Sequence, residues 1–236
     1  MNRKEARPRP ERSGFRWVLE LFRIALPLAL IPIVFAFLFP FGHDVINLFI
    51  GAVLFYVFLF QADQRARRLI VILSVFAGIF EIANVASGFY SYAGHPLVPL
   101  WVAMGWAVLG WYAVWLVPVF RKIPDWLAFS ASTLAILSVS LAYHYWALSM
   151  LFAAVGVVLL SKTSTRFPAA FFAFGAIIGL VLEVAGTSLG VWRYTTASGA
   201  LAIPEFGQLS IGYAMVLAFA TWAAGYDSLP KKIGRI

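Results

Sequence analysis

The chain lacks cysteine altogether, and it has few charged residues of either sign. Its 236 residues include no cysteine, which excludes disulfide bonds, thiolate metal ligands and a cysteine nucleophile. Charged side chains make up only 12% of the sequence, whereas 62% of it is hydrophobic and the mean hydropathy is +0.88. A water-soluble fold of this length could not bury so much apolar surface. We therefore expect an integral membrane protein that crosses the bilayer several times, with no soluble catalytic domain.

The sequence also lacks the local motifs of soluble chemistry. It contains no glycine-rich phosphate-binding loop, no Ser-His-Asp order and no nucleic-acid-binding motif. A formal net charge of +8 would suggest nucleic acid for a soluble protein, but in a membrane protein the positions of the charges matter more than their sum. We expect no nucleic-acid partner, and any chemistry must come from the helices or their short connections.

Apolar runs of membrane-crossing length fill most of the chain. A transmembrane helix needs about 20 apolar residues, and proline, glycine and charged residues divide the sequence into eight such runs. They are 17–39, 46–62, 69–87, 98–120, 125–142, 144–161, 167–187 and 207–226. The interruption at 143–146 is the least marked, so seven spans remain an alternative. The sequence thus predicts an all-α polytopic membrane bundle of about eight transmembrane helices, a single domain over 17–226.

Lysine and arginine occur in alternate connections. They lie in the N-terminal tail (1–16) and the entry of the first span, in the connections after the second, fourth and sixth spans, and in the C-terminal tail (227–236). Cytoplasmic segments of membrane proteins retain positive charge. The distribution therefore predicts that both termini are cytoplasmic. The lack of targeting features and the compact loops favour a bacterial inner (plasma) membrane. Arg193 is the exception, because it lies on the outer side.

Two segments on the outer side resemble each other. Residues at one constant sequence offset match in pairs: Glu81 with Glu183, Gly88 with Gly190, Tyr90 with Trp192, and Tyr92 with Tyr194. Further along, Gly105-Trp106-Ala107 aligns with Gly212-Tyr213-Ala214 at a slightly longer offset. The pattern predicts two parallel four-helix repeats, about 17–122 and 123–226, with a site at their interface. Chance similarity between two aromatic loops is the alternative.

Glu81 and Glu183 are the candidate catalytic residues. Each precedes the outer end of its span by less than about two turns of 3.6 residues, which places a carboxyl group inside the outer leaflet. An acidic side chain in the membrane costs a few kcal/mol and usually marks function. Such a carboxyl group can act as a general acid. The alternative is a role in helix packing, with each carboxyl group hydrogen-bonded to a neighbouring helix.

The remaining candidates are substrate-binding residues near the two glutamates. Asn84 and Thr187 share a helix face with their glutamates, and Arg193 could clamp an anionic headgroup. Aromatic rings near the glutamates could stabilise a carbocation, and Glu205 could either bind substrate or cap the last helix. The full set is Asn84, Tyr90, Tyr92, Thr187, Trp192, Arg193, Tyr194 and Glu205.

The three histidines do not form a dense metal-binding motif. His43, His95 and His144 all lie in outer connections, but their spacing matches no pattern such as His-Glu-x-x-His. We therefore predict no metal site, with a site shared by the three histidines as the alternative.

The two outer segments resemble those of a known group of membrane proteins. Glu183 followed by Gly190-Val191-Trp192-Arg193-Tyr194 and by Pro204-Glu205, with its echo from Glu81 to Tyr92, is similar to the membrane lycopene cyclases and carotenoid hydratases. The resemblance implies acid-catalysed attack on an isoprenoid double bond by a cofactor-independent cyclase or hydratase. It implies Glu81 and Glu183 as the acids, and Arg193 with Tyr194 as the rim of an outer-leaflet pocket.

Two other functions fit the same composition. A small membrane transporter or carrier could move its two halves around a central site. A non-catalytic assembly factor could use its exposed helix faces as an interface. The enzyme interpretation is preferred because it explains the paired glutamates and the aromatic lining together. The partner expected on this interpretation is a membrane lipid or isoprenoid substrate, and the oligomeric state stays open.

Overall fold

The structure is a computed structural model that describes residues 13–142, 147–163, 167–195 and 206–226. Most of this part of the chain is helical. Its helices are α1 (Ser13–Leu38), α2 (His43–Tyr56), α3 (Gln64–Ala86), α4 (Leu100–Trp115), α5 (Val117–Phe120), α6 (Asp125–Ala142), α7 (Ala147–Thr163), α8 (Ala169–Ser188) and α9 (Phe206–Ala223). Its strands are β1 (Tyr90–Tyr92) and β2 (Trp192–Tyr194).

Several of these helices have the length and composition of membrane spans. A 3-10 turn (Phe39–Phe41) extends α1, and a π-helical turn (Val57–Gln61) extends α2. With these turns included, the longer apolar helices are Phe22–Phe41, His43–Gln61, Gln64–Ala86, Asp125–Ala142 and Ala169–Ser188. Three shorter apolar helices are Leu100–Trp115, Ala153–Lys162 and Leu209–Ala223. The helical membrane class predicted from the composition is therefore confirmed, while the number of eight crossings stays a prediction. The interruption at 143–146 and most of both predicted tails lie outside the described residues.

Helix α8 is the centre of the bundle and α1 is at its edge. In the apolar stretch of α8, 78% of the residues are buried within the protein, against 6% in the stretch Phe22–Phe41 that contains most of α1. Helix α8 packs against α9 and α6, and α3 packs against α4, so that α3, α4, α8 and α9 enclose the main core. Because the outer helices turn large apolar side chains away from the protein, they offer an apolar surface to lipid.

Small residues allow α9 to approach α8 closely. A Cβ atom at Gly175 would come within 2.9 Å of the Cα atom of Ala214, and one at Gly179 would come within 2.5 Å of the ring of Tyr213. These distances are shorter than van der Waals contact, so only glycine fits at either position. The small-residue step from Gly175 to Gly179 thus serves internal packing and seats Tyr213 against α8.

Helices α3 and α8 end in the same kind of turn. Each is followed by a glycine with positive φ, which is 73° at Gly88 and 68° at Gly190, a conformation that glycine adopts without steric cost. The turns lead into β1 and β2, which pair antiparallel. The register joins Tyr90 to Tyr194, Ser91 to Arg193 and Tyr92 to Trp192. This two-stranded ribbon covers the ends of α3 and α8 that carry the two glutamates.

Candidate functional site

Glu81 is buried near the end of α3 and accepts two hydrogen bonds from aromatic side chains. Only 7% of the residue is exposed. The indole nitrogen of Trp106 on α4 donates to Oε1 at 3.1 Å, and the hydroxyl of Tyr92 on β1 donates to Oε2 at 3.1 Å. A buried carboxyl group without such donors would cost several kcal/mol, so these two bonds hold it in place.

Glu183 is buried near the end of α8 and accepts three such bonds. Trp192 donates its indole N–H to Oε2 at 3.0 Å, and the hydroxyl of Tyr194 donates to the same oxygen at 2.5 Å. The hydroxyl of Tyr213 on α9 donates to Oε1 at 3.0 Å. Trp192 can reach the carboxyl group because Gly186 leaves room for its ring, which a Cβ atom at that position would approach to 2.1 Å.

The two carboxyl groups belong to one network. The rings of Trp106 and Tyr213 stack with their centroids 4.5 Å apart and their planes at 20°. Since Trp106 donates to Glu81 and Tyr213 donates to Glu183, this stack joins the two hydrogen-bonded groups.

The donors fix where a carboxyl proton can sit. An indole N–H can only donate, so the oxygen that faces it is held as an acceptor: Oε1 of Glu81 and Oε2 of Glu183. A proton on either acid is therefore directed to the other oxygen, which faces a tyrosine hydroxyl that can also accept. These tyrosines are Tyr92 for Glu81 and Tyr213 for Glu183. Burial, with the adjacent carboxyl groups adding to it, raises the pKa of Tyr92 well above the usual phenol range, so this tyrosine remains protonated.

A cavity of about 510 Å³ lies beside this network. That volume falls within the range of about 300–1,000 Å³ that is usual for small-molecule sites. Both glutamates line the cavity, and its long walls come from α1, α2 and α4. On α1 the lining side chains recur at every fourth residue, Arg23, Pro27, Ile31 and Phe35, as expected for one face of a helix. The cavity is therefore a long apolar groove with two acidic groups near one end.

The structure brings six of the sequence-predicted residues together on this cavity. They are Glu81, Glu183, Tyr90, Tyr92, Trp192 and Tyr194. The side chains of each strand alternate in direction, so the first and last residues of β1 and β2 are buried, whereas Ser91 and Arg193 are exposed. Arg193 thus lies on the opposite face of the ribbon and does not line the cavity. Its role as a ligand residue stays a prediction.

The other predicted residues contact the backbone or lie elsewhere. Thr187 donates its hydroxyl to the backbone carbonyl of Glu183 at 2.6 Å rather than to its carboxyl group. Asn84 is half-buried and accepts from Ser87 through its backbone carbonyl. Neither residue lines the cavity. Glu205 lies outside the described residues.

Sequence reasoning missed Trp106 and Tyr213 as members of the site. Both lie on the helices that follow the ribbon strands, and both donate to a glutamate. Their signal was present in the alignment of Gly105-Trp106-Ala107 with Gly212-Tyr213-Ala214, which indicated a repeat but was not read as part of the site. The lining from α1 and α2 left no comparable signal.

His43 and His95 lie close together, and His43 stacks on Trp101, which lines the cavity. Their ring centroids are 5.4 Å apart. The indole of Trp101 donates to Nδ1 of His43 at 3.1 Å, so Nε2 carries the proton and donates to the carbonyl of Ala93 at 2.7 Å. Both ring nitrogens of His43 are therefore occupied. In the ranges that the structure describes, no group of three or more potential ligands could hold a metal ion, and His144 lies outside those ranges.

The chain matches no family model, no curated protein and no solved structure. The functional argument therefore depends on the geometry of the site.

Proposed function

We propose that this protein is an integral membrane enzyme that acts by acid catalysis on an isoprenoid-like lipid. The observation that carries the proposal is the pair of buried carboxyl groups, Glu81 and Glu183, facing one apolar cavity and held by aromatic hydrogen-bond donors. An apolar cavity suits a hydrocarbon chain, and the only reaction that a carboxylic acid readily offers an unactivated hydrocarbon is protonation of a double bond.

The reaction balances without a cofactor. The O–H bond of a protonated glutamate breaks, the π electrons of the double bond form a new C–H bond, and the substrate becomes a carbocation beside a carboxylate. The cation then has three outcomes. Loss of a proton from a neighbouring carbon to a carboxylate gives an isomer; attack by the π electrons of a second double bond of the same chain forms a C–C bond and a ring, after which the relocated cation loses a proton in the same way. Alternatively, the cation takes up water. In this last case the proton of the added water returns to the carboxylate.

The aromatic lining supports a cationic intermediate. Trp106, Tyr213 and Trp192 present rings to the cavity within one network around the two acids. The faces of such rings attract a cation by about 0.5–2 kcal/mol each when water is excluded. A lining built only for packing would not need indole and phenol groups whose polar ends all meet two carboxyl groups.

We also propose two parallel four-helix repeats, eight membrane crossings, cytoplasmic termini and residence in a bacterial inner membrane. The ribbon register supports the repeat, because Tyr90 pairs with Tyr194 and Tyr92 pairs with Trp192. Tyr194 is the counterpart of Tyr92, and Trp192 is the counterpart of Tyr90, so each residue pairs with the counterpart of the other. A twofold axis between Ser91 and Arg193 requires this pairing. The matching donors of the two glutamates also support it. Helices α6 to α9 would then repeat the orientation of α1 to α4.

The test is mass spectrometry of lipids extracted from the wild-type protein and from a Glu81→Gln, Glu183→Gln double variant. Glutamine keeps the shape of a protonated carboxyl group, accepts from the indoles and donates to the tyrosines, but it cannot deliver a proton. Asp125→Asn, an exposed carboxyl-to-amide change at the start of α6, is the matched control.

The expected result is an isoprenoid product with the wild type and the control, and unprocessed substrate with the double variant. Unchanged products in the double variant would contradict the proposal. If the folded wild type binds only bulk phospholipid and transforms no lipid, the enzyme proposal fails. A transporter or an assembly factor then becomes the preferred function, and transport assays and partner pull-downs follow.

A further inference from the structure

The cavity continues well past the two carboxyl groups and reaches a cationic side chain at its other end. This end is formed by Arg23 on α1 and by Tyr112 and Trp115 on α4, all three of which line the cavity. The guanidinium carbon of Arg23 lies 5.9 Å from the ring centroid of Trp115. The hydroxyl of Tyr112 donates to the backbone carbonyl of Arg23. Both contacts tie the position of Arg23 to α4.

The separation of the two ends sets a length. Along α4, Trp106 beside Glu81 and Trp115 beside Arg23 are about 14 Å apart at ~1.5 Å per residue. The lining between them is apolar and includes Leu26, Leu30 and Leu109. A ligand that contacts both ends must therefore be an extended apolar chain with one polar terminus.

The two ends differ in access. At the carboxyl end the lining side chains Phe35 and Trp101 are 8% and 6% exposed, so this end is closed. At the arginine end Phe22 is 61% exposed and Arg23 is also exposed, so this end opens to the surroundings of the helix. A chain that enters from this end brings its apolar terminus towards the carboxyl groups first.

We propose that the substrate is a single-chain isoprenoid lipid with a phosphate headgroup, which Arg23 binds while the far end of the chain lies between Glu81 and Glu183. This inference deepens the proposed function and rests on it. A guanidinium binds phosphate oxygens through paired hydrogen bonds, and its location at the open end leaves the headgroup in contact with water. The acids then reach the double bond farthest from the phosphate.

Arg23 fits this role better than Arg193. Arg23 lines the cavity at the end away from the acids, whereas Arg193 is exposed on the outer face of the ribbon, away from the lining. A headgroup held at Arg193 would leave the long groove along α1 without an occupant. The geometry thus places the phosphate near the N-terminal part of α1.

The binding test compares two probes with the purified full-length protein: geranylgeranyl phosphate and the uncharged alcohol geranylgeraniol, followed by tryptophan fluorescence. A charge-assisted hydrogen bond contributes about 1.5–3 kcal/mol, so we expect the wild type to prefer the phosphate by at least about tenfold. Arg23→Gln should abolish this preference. Arg68→Gln, which removes an exposed arginine at the start of α3, is the matched control and should keep it.

The outcomes separate this inference from the proposed function. An equal affinity of the wild type for both probes, or a preference lost in Arg193→Gln but kept in Arg23→Gln, overturns the headgroup assignment even if product forms. Product analysis with the same phosphate tests the acid: Glu81→Gln should bind it with unchanged preference and release no product. If the preference follows Arg23 but the wild type converts neither probe, the headgroup assignment stands and the acid-catalysed step fails for this substrate class.

Discussion

The regions α1–α4 and α6–α9 place a glutamate in corresponding surroundings but hold it differently. Glu81 accepts two hydrogen bonds, whereas Glu183 accepts three. The additional donor is Trp192, whose counterpart at the same sequence offset is Tyr90. A carboxylate offers about four acceptor sites, so Glu81 keeps more capacity for exchange with a ligand. On the proposed function, we infer that Glu81 delivers the proton and that Glu183 has a supporting electrostatic role.

A substitution beneath the ribbon explains the additional donor. Gly186 lies under the ring of Trp192, and the position at the same offset in the first region is Asn84. A side chain at 84 excludes a ring packed like that of Trp192, and the smaller Tyr90 stands in its place. On the proposed repeat, the pair Gly186 and Trp192 would correspond to the pair Asn84 and Tyr90.

The first and last regions also differ in how their leading helices pack. Helix α6 packs against α7 and α8 within its own region, whereas α1 packs across the bundle against α8. This leaves the space between α1, α2 and α4 as the cavity. The cavity therefore lies on the side of the first region, and Glu183 reaches it from the second region.

The largest expected effect separates the two acids. Glu81→Gln should lower turnover on the order of 10³-fold, because general acid catalysis contributes typically 10²–10⁴-fold. Glu183→Gln should lower turnover by no more than about 10²-fold, because the glutamine amide still accepts hydrogen bonds from Trp192 and Tyr194. The measurement is single-turnover conversion of the isoprenoid substrate at equal protein concentration. Equal losses at both positions would show that the acids act as an interchangeable pair.

The next effect concerns the space under Trp192. Gly186→Asn should reduce the free energy of unfolding by about 1–3 kcal/mol, because the new side chain overlaps the indole ring. Adding Trp192→Tyr should recover part of this loss, since the double variant carries the Asn and Tyr combination of the first region. Thermal denaturation in detergent gives both values. Additive losses in the double variant would show that the residues at positions 186 and 192 do not depend on each other, which contradicts this explanation.

A smaller effect distinguishes Tyr92 and Tyr194, the two ribbon tyrosines that donate to the glutamates. Tyr92→Phe leaves Glu81 with one donor, whereas Tyr194→Phe leaves Glu183 with two. We expect destabilisation of about 2 kcal/mol for the first and about 1 kcal/mol for the second, since an under-satisfied buried acceptor carries the larger cost. Thermal denaturation of the matched pair decides the order, and a greater loss at Tyr194 would reverse the comparison.

Sequence reasoning could predict the parts of the site that lie in continuous motifs. Glu81 with Tyr92, and Glu183 with Tyr194, are each close along the chain, so their spacing relates them before any fold is known. Composition alone gives the helical membrane class. These predictions succeed because they depend on local spacing and on the apolar content of the spans.

The remaining features depend on tertiary packing. Trp106 reaches Glu81 because α4 packs along α3, and a tryptophan in an apolar helix is ordinarily a packing residue. The sequence of α1 gives no indication that it packs against α8 rather than within its own region. The placement of Arg23 at one end of the cavity follows from that arrangement, and charge counting could only assign it to the cytoplasmic side.

The smallest expected effect tests which region holds the ligand. Gly105 lines the cavity and Gly212 occupies the matching place on α9, and a Cβ atom at either would meet nothing within 4 Å. Gly→Ala changes at both should therefore leave stability unchanged or raise it by up to about 1 kcal/mol through helix propensity. Only Gly105→Ala adds a methyl group to the cavity beside the carboxyl groups, so only this variant should weaken isoprenoid binding, by about threefold for one displaced methylene contact. Equal affinities in the two variants would place the ligand elsewhere, because an occupied cavity must respond to a loss of volume next to its acids.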